Sequence, residues 1–177
     1  MKIVILMGSP NENGSTAMLC SEFSRGAEEA GHEIEQFNVA NMNIAPWRPE
    51  KTEDDFNIVC AELEKADMVV LATPIYYFDM SAQLKAVIDR FSDANHDIKH
   101  SGPNGEGLKS ALLCVSHQNK AEVMDTIKLH YRKICEYLNW HDQGAVLGIG
   151  CGSPEITKSS PKLAEAYRLG KSLGIDK

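Results

Sequence analysis

Four short runs without a charge constrain the fold of this chain most: Ile3-Val4-Ile5-Leu6-Met7, Met68-Val69-Val70-Leu71-Ala72, Ala111-Leu112-Leu113-Cys114-Val115 and Ala145-Val146-Leu147-Gly148-Ile149. Strands that are apolar throughout belong to a sheet covered on both faces, because a one-sided sheet would alternate polar and apolar residues. A fifth segment, Glu33-Ile34-Glu35-Gln36-Phe37-Asn38-Val39, does alternate and suits a strand near the sheet edge. Helical stripes lie between the runs: Phe56, Val59, Cys60 and Leu63; Leu84, Val87, Ile88 and Phe91; Val123 through Leu138; and Leu163 through Leu173. Residues 16–30 read as the first helix, with Gly31 as its stop. Five strands alternating with five helices predict an α/β, doubly wound, three-layer sandwich. Right-handed crossovers and a polar second strand select a five-stranded parallel sheet of order 2-1-3-4-5. Ligands of such a sheet bind at the carboxyl ends of strands one, three and four.

The 177 residues, 1–177, read as one domain with room for a substantial core. With a net charge of −7 and no basic run, the chain is not expected to bind nucleic acid. The first apolar run is too short for a signal peptide, and no stretch approaches a membrane span, so a cytoplasmic protein is expected. The five cysteines are scattered without a C-x-x-C pair and read as buried free thiols. Two longer loops, 40–52 and 93–108, interrupt the pattern. The second holds Gly102, Pro103, Asn104, Gly105 and Gly107 and reads as mobile or as an interface arm.

Residues 8–16, Gly-Ser-Pro-Asn-Glu-Asn-Gly-Ser-Thr, turn the first strand into the first helix. Free N–H groups and the helix dipole favour an anion there. The loop is neither a Walker A loop nor G-x-G-x-x-G. It reads either as a phosphate cradle of backbone amides and the hydroxyls of Ser9, Ser15 and Thr16, or as a plain Ser/Thr helix cap. After strand three, Thr73-Pro74-Ile75-Tyr76-Tyr77-Phe78-Asp79-Met80 places three aromatic residues in succession. They wall either a flat ligand or a subunit contact. After strand four, Ser116-His117-Gln118-Asn119 offers donors and acceptors for the edge of a heterocycle, or is an ordinary polar turn. A phosphate site beside an aromatic slot suits a phosphorylated planar cofactor, and FMN fits best.

The segment T-P-I-Y-Y-F-D-M-S-A-Q-L-K-A-V-I-D-R, residues 73–90, resembles the NADPH-dependent FMN reductase family, among the flavodoxin-like NAD(P)H oxidoreductases. The G-S-P-x-x-N-G-S-T run fits that family's phosphate loop, and the element order matches over essentially the whole chain. The resemblance implies FMN phosphate contacts at Ser9, Asn11, Gly14, Ser15 and Thr16. It implies ring contacts at Pro74, Ile75, Tyr76 and Tyr77, and a looser match at Ser116 and His117. Many members carry a basic residue early in the phosphate loop. Here Asn11 and Glu12 stand there, so amides and hydroxyls must meet the phosphate and Glu12 must point away. The iron–sulfur branch has a cysteine cluster before the second helix. Residues 44–51 have none, so no metal cluster is expected.

The function implied is an FMN-dependent NAD(P)H oxidoreductase that passes electrons to a quinone, flavin or other small acceptor by ping-pong kinetics. Because the flavin carries such chemistry, no catalytic acid, base or nucleophile is assigned. The alternative is a flavodoxin-like electron carrier between protein partners. A weaker third reading is a binding domain that kept the fold without FMN. Apolar loop residues Trp47, Tyr77, Phe78 and Met80, with the resemblance, point to a homodimer or homotetramer bordering the site. Trp47 and Trp140 are read either as cover for the flavin or as core and interface residues. Lys85, Asp89 and Arg90 are read as structural or interfacial.

Overall fold

A computed structural model describes residues 1–50, 53–93 and 98–174. Strands β1 (Lys2–Met7), β2 (Glu33–Phe37), β3 (Met68–Pro74), β4 (Lys109–Val115) and β5 (His141–Gly148) form one sheet of order β2-β1-β3-β4-β5. Every pairing is parallel, with Ile3 opposite Met68 and Ile34, and Met68 opposite Lys109. The helices are α1 (Ser15–Glu29), α2 (Phe56–Leu63), α3 (Ala82–Arg90), α4 (Asp125–Leu138), α5 (Pro154–Lys158) and α6 (Lys162–Lys171).

The apolar strands divide their side chains between two cores, as a period of two requires. Val4, Leu6, Val69, Leu71, Leu112 and Cys114 face α2, α3 and α4. Ile3, Ile5, Met7, Met68, Val70, Ala72, Ala111 and Leu113 face α1 and α6. Glycine lets the two helices on that second face approach closely. A Cβ on Gly26 would lie 2.1 Å from the Tyr167 carbonyl oxygen, and one on Gly170 would lie 2.2 Å from that of Phe23.

Three expectations change. β5 was read as covered on both faces, but it is an edge strand with exposed Ala145. Its pairing with β4 slips between Ser110 and Leu112, beside Gly144 at φ +123°, and the strand extends back to polar His141. β2 stops at Phe37, because Val39–Asn41 turn into a short 3-10 helix. Helix α5 was not anticipated, although Ser153 caps it and Pro154 opens it, a common helix start. Residues 51–52 and 94–97 of the two long loops lie outside the described residues. At the described end of the 93–108 loop, Asn139 Nδ2 donates to the Glu106 carbonyl at 2.9 Å, and Gly107 sits tight against Asn139. No helix among the described residues is long and apolar enough to cross a membrane.

Candidate functional site

The loop after β1 is pinned at both ends. Gly8 N–H donates to the Ala72 carbonyl at 2.8 Å, and a Cβ on Gly8 would strike Ser81 Oγ at 2.5 Å. Within the loop, Asn11 N–H donates to Ser9 Oγ, Asn13 N–H to Asn11 Oδ1 and Gly14 N–H to the Asn11 carbonyl. The N-cap of α1 is Gly14, which has no side chain to cap with. Ser15 and Thr16 therefore stand inside the first turn, buried, and the capping role read for them does not occur. The first intrahelical bond runs from Met18 N–H to the Gly14 carbonyl, so the N–H groups of Ser15, Thr16 and Ala17 lack an intrahelical acceptor. Glu12 is held elsewhere: Asn38 and Asn41 donate to its Oε1 at 3.2 and 2.8 Å.

The loop after β3 is a tight turn. Tyr76 and Asp79 exchange backbone hydrogen bonds, and the two residues between them, Tyr77 (φ 50°) and Phe78 (φ 72°), are both left-handed. Such turns ordinarily take Asn or Gly, and each non-glycine residue held this way costs on the order of 1–3 kcal/mol. The surroundings hold the turn in place. Ile75 N–H donates to the Val115 carbonyl, and Ser81 N–H donates to Thr73 Oγ1. Asp79 accepts from Met80 N–H and pairs with His130 of α4 at 2.8 Å. Tyr77 is 99 % exposed, and Tyr76 and Phe78 about half. Met80 was expected on the exposed rim but is buried, because its side chain joins the core beneath α3.

After β4, Ser116 N–H donates to the Gly148 carbonyl, while the Ser116 hydroxyl donates to the Gln118 carbonyl and accepts from Gln118 N–H. That hydroxyl is satisfied inside the turn. His117 lies against Gly152 so closely that a Cβ there would be 2.2 Å from His117 Nδ1.

These loops enclose two adjoining cavities. One, of about 170 Å³, is lined by Ser9, Asn11, Gly14, Ser15, Thr16, Pro74, Ile75, Tyr76 and His117, together with Val115, Cys151, Gly152 and Pro154. The other, of about 390 Å³, shares Ile75, Tyr76 and His117 and adds Tyr77, Phe78, Ser116, Gln118 and Val123. All eleven residues expected from the sequence line one or both. Missed were Cys151, Gly152 and Pro154, which follow β5; the Ser-Pro helix start was the signal that could have placed them. Among the described residues, no carboxylate lines either cavity. The donor set of hydroxyls, a side-chain amide and uncapped backbone N–H groups at a helix start fits a phosphate. The apolar and aromatic walls beside it fit a flat ring. A larger apolar groove of about 480 Å³ lies between α3 and α4, but no helix start is among its described lining residues.

Other candidates fall away from these cavities. Trp140 is buried and packs edge-on against Phe91, so it is core and not cover; Trp47 is half exposed on the 40–52 loop. Arg90 is buried with its guanidinium on Asp54 and Asp93 and over the Phe56 ring, clamping the chain at Ala45 to α3. Lys85 and Asp89 pair on the surface of α3. Burial pushes the Cys20 thiol up to about 12, and burial, with the charge of Asp79, raises that of Cys114 further. Both are thus held as thiols.

The chain matches the family model described as NADPH-dependent FMN reductase over residues 1–149. YwqN of Bacillus subtilis (strain 168), which carries the provisional name of an NAD(P)H-dependent FMN-containing oxidoreductase, is 25% identical over 97% of both chains. An iron–sulfur flavoprotein of Archaeoglobus fulgidus is 29% identical over 61% of this chain, which spans only 53% of that relative. The fold matches an NAD(P)H:quinone oxidoreductase from Methanothermobacter marburgensis with a TM-score of 0.71 at 18% identity, covering 100% of this chain and 98% of that one.

Proposed function

Because the chain belongs to the NADPH-dependent FMN reductase family, we infer that it is an FMN-dependent oxidoreductase in which NAD(P)H and a small acceptor, such as a quinone or a flavin, use one opening in turn. The observation that carries this reading is the joining of the two cavities. A donor-lined cradle, with no carboxylate among its described residues, opens at Ile75, Tyr76 and His117 into an aromatic-walled slot. Ser9, Asn11, Gly14, Ser15 and Thr16 would hold the FMN phosphate. Pro74, Ile75, Tyr76 and Tyr77 would border the ring, with His117 between the two parts and Ser116 shaping the turn beside it. Bound FMN would supply the hydride-accepting chemistry; the chain's part is to bind the phosphate, fix the aromatic wall and leave the entrance at Tyr76 and Tyr77 open. The half- and fully exposed aromatics of that entrance also support a homodimer or homotetramer bordering it.

The test begins with the purified protein supplied with FMN. It should show a flavin spectrum and release FMN, not FAD, on denaturation. Anaerobic NADPH or NADH should bleach that spectrum within seconds, and double-reciprocal plots with a quinone should be parallel. Failure to bind FMN at micromolar concentrations would overturn the reading. Reduction by a partner protein but not by a nicotinamide would identify an electron carrier instead. Intersecting plots would remove the alternating use of one opening.

A further inference from the structure

The wall of the cradle opposite the aromatic turn comes from the segment after β5, past residue 149, where the family match ends. Behind that wall stands Thr157 of α5, fully buried. Its Oγ1 lies 2.8 Å from the Ser153 carbonyl oxygen, 2.9 Å from Ser15 Oγ and 3.4 Å from the Cys151 carbonyl oxygen. A hydroxyl has one proton, and carbonyls only accept. Two arrangements follow. Thr157 donates to a carbonyl, and Ser15 must then donate to Thr157, which turns the Ser15 proton away from the cradle. Or Thr157 donates to Ser15, and the Ser15 proton is left for an acceptor inside the cradle. In the second arrangement the Ser153 carbonyl still accepts from Thr157 N–H at 3.0 Å, so no helix carbonyl is stranded there.

An anion in the cradle favours the second arrangement, because a hydroxyl that accepts one hydrogen bond becomes a better donor to the next group. We propose that Thr157 is a positioning residue for the phosphate: its hydroxyl donates to Ser15 Oγ and thereby aims the Ser15 proton into the cradle. The residue touches no ligand itself. It acts through a side chain 142 positions away, and it belongs to a helix that the family match does not include. The proposal rests on reading the 8–16 loop as the phosphate site.

The experiment compares FMN with riboflavin, which lacks the phosphate, by fluorescence titration, with the thermal midpoint of each variant recorded alongside. Thr157→Val keeps the shape and removes the hydroxyl. FMN affinity should fall roughly 3- to 10-fold while riboflavin affinity changes less than about 2-fold, the scale of one buried hydrogen bond. Thr157→Ser should restore the FMN-to-riboflavin ratio. On a Ser15→Ala background, Thr157→Val should no longer change that ratio. Equal losses for both ligands, or an undiminished effect on the Ser15→Ala background, would overturn the proposal by making Thr157 a purely structural residue. If Thr157→Val does not fold, Thr157→Ala is the second hydroxyl-free variant and is held to the same ratio. A ratio that falls with Ser15→Ala but not with Thr157→Val sinks the proposal alone. A ratio untouched by Ser15→Ala sinks the phosphate reading beneath it.

Discussion

Tyr77 and Phe78 occupy left-handed positions that glycine or asparagine would fill without strain. Two adjacent aromatics held this way stand at the mouth of the candidate site and not at a random surface turn, which is where stored strain has a use. Phe78→Gly should relieve part of it. Thermal or urea unfolding is expected to show a gain of about 1 kcal/mol, while flavin binding weakens because a wall of the slot is lost. A destabilised variant would mean that the Phe78 ring contributes more by packing than its backbone costs. From the sequence, the three aromatics signalled a wall, but their backbone conformation did not show. It is imposed by the Tyr76–Asp79 bridge and by His130, a partner 51 positions downstream of Asp79.

At the scale of elements, the chain around Ala45 is held to α3 through the buried Arg90–Asp54 ion pair. Arg90 Nη1 lies 2.7 Å from Asp54 Oδ2, and that carboxylate also accepts from Ala45 N–H. Burial alone would raise the carboxyl pKa of Asp54, but the hydrogen bonds from Ala45, Arg90 and Phe56 outweigh it and hold the pKa below the usual range. The folded chain therefore binds this proton more weakly than the unfolded chain does. Its contribution is complete above the ordinary carboxylate range and is lost as pH falls through the depressed value. Asp54→Asn should cost roughly 1–3 kcal/mol at neutral pH, because it removes one charged acceptor from the buried Arg90 guanidinium, which keeps Asp93. The difference between variant and wild type should shrink in acid. Unfolding midpoints measured from neutral pH down to about pH 3 check this, and a constant difference would contradict it. The sequence marked Arg90 as structural but held no sign of Asp54, since the two stand 36 positions apart and meet only in the fold.

For the whole molecule, the chain carries a net charge of −7, yet on the face around α3 and α4 Lys85 pairs with Asp89 and Lys133 with Glu136. Beside it lie the exposed rings of Tyr77, Phe78 and Tyr137. Self-association through this face would cover apolar surface without setting like charges against one another. Sedimentation at tens of micromolar should therefore find a dimer or tetramer, and Tyr137→Lys should shift it toward monomer. A monomeric flavin-loaded wild type would remove the assembly from the account.

The order of strands, the two-sided sheet and the three loops at its carboxyl end were legible in the sequence. Each is a consequence of local periodicity, apolar runs and turn chemistry, which nearby residues dictate. Ser9 through Thr16 and Pro74 through Tyr77 could be named for the same reason: contiguous loops carry their own signal. What only the tertiary structure decided depends on residues far apart in the chain. Among the described residues, β5 pairs with β4 alone, which makes it an edge. Trp140 went to the core because Phe91 awaits it there. Gly152 joined the cradle, and Thr157 came to stand behind its wall against Ser15, because β5 delivers the chain back beside the start of α1. Close contact of that kind leaves no periodicity in the sequence, since it depends on where the sheet brings separate segments together.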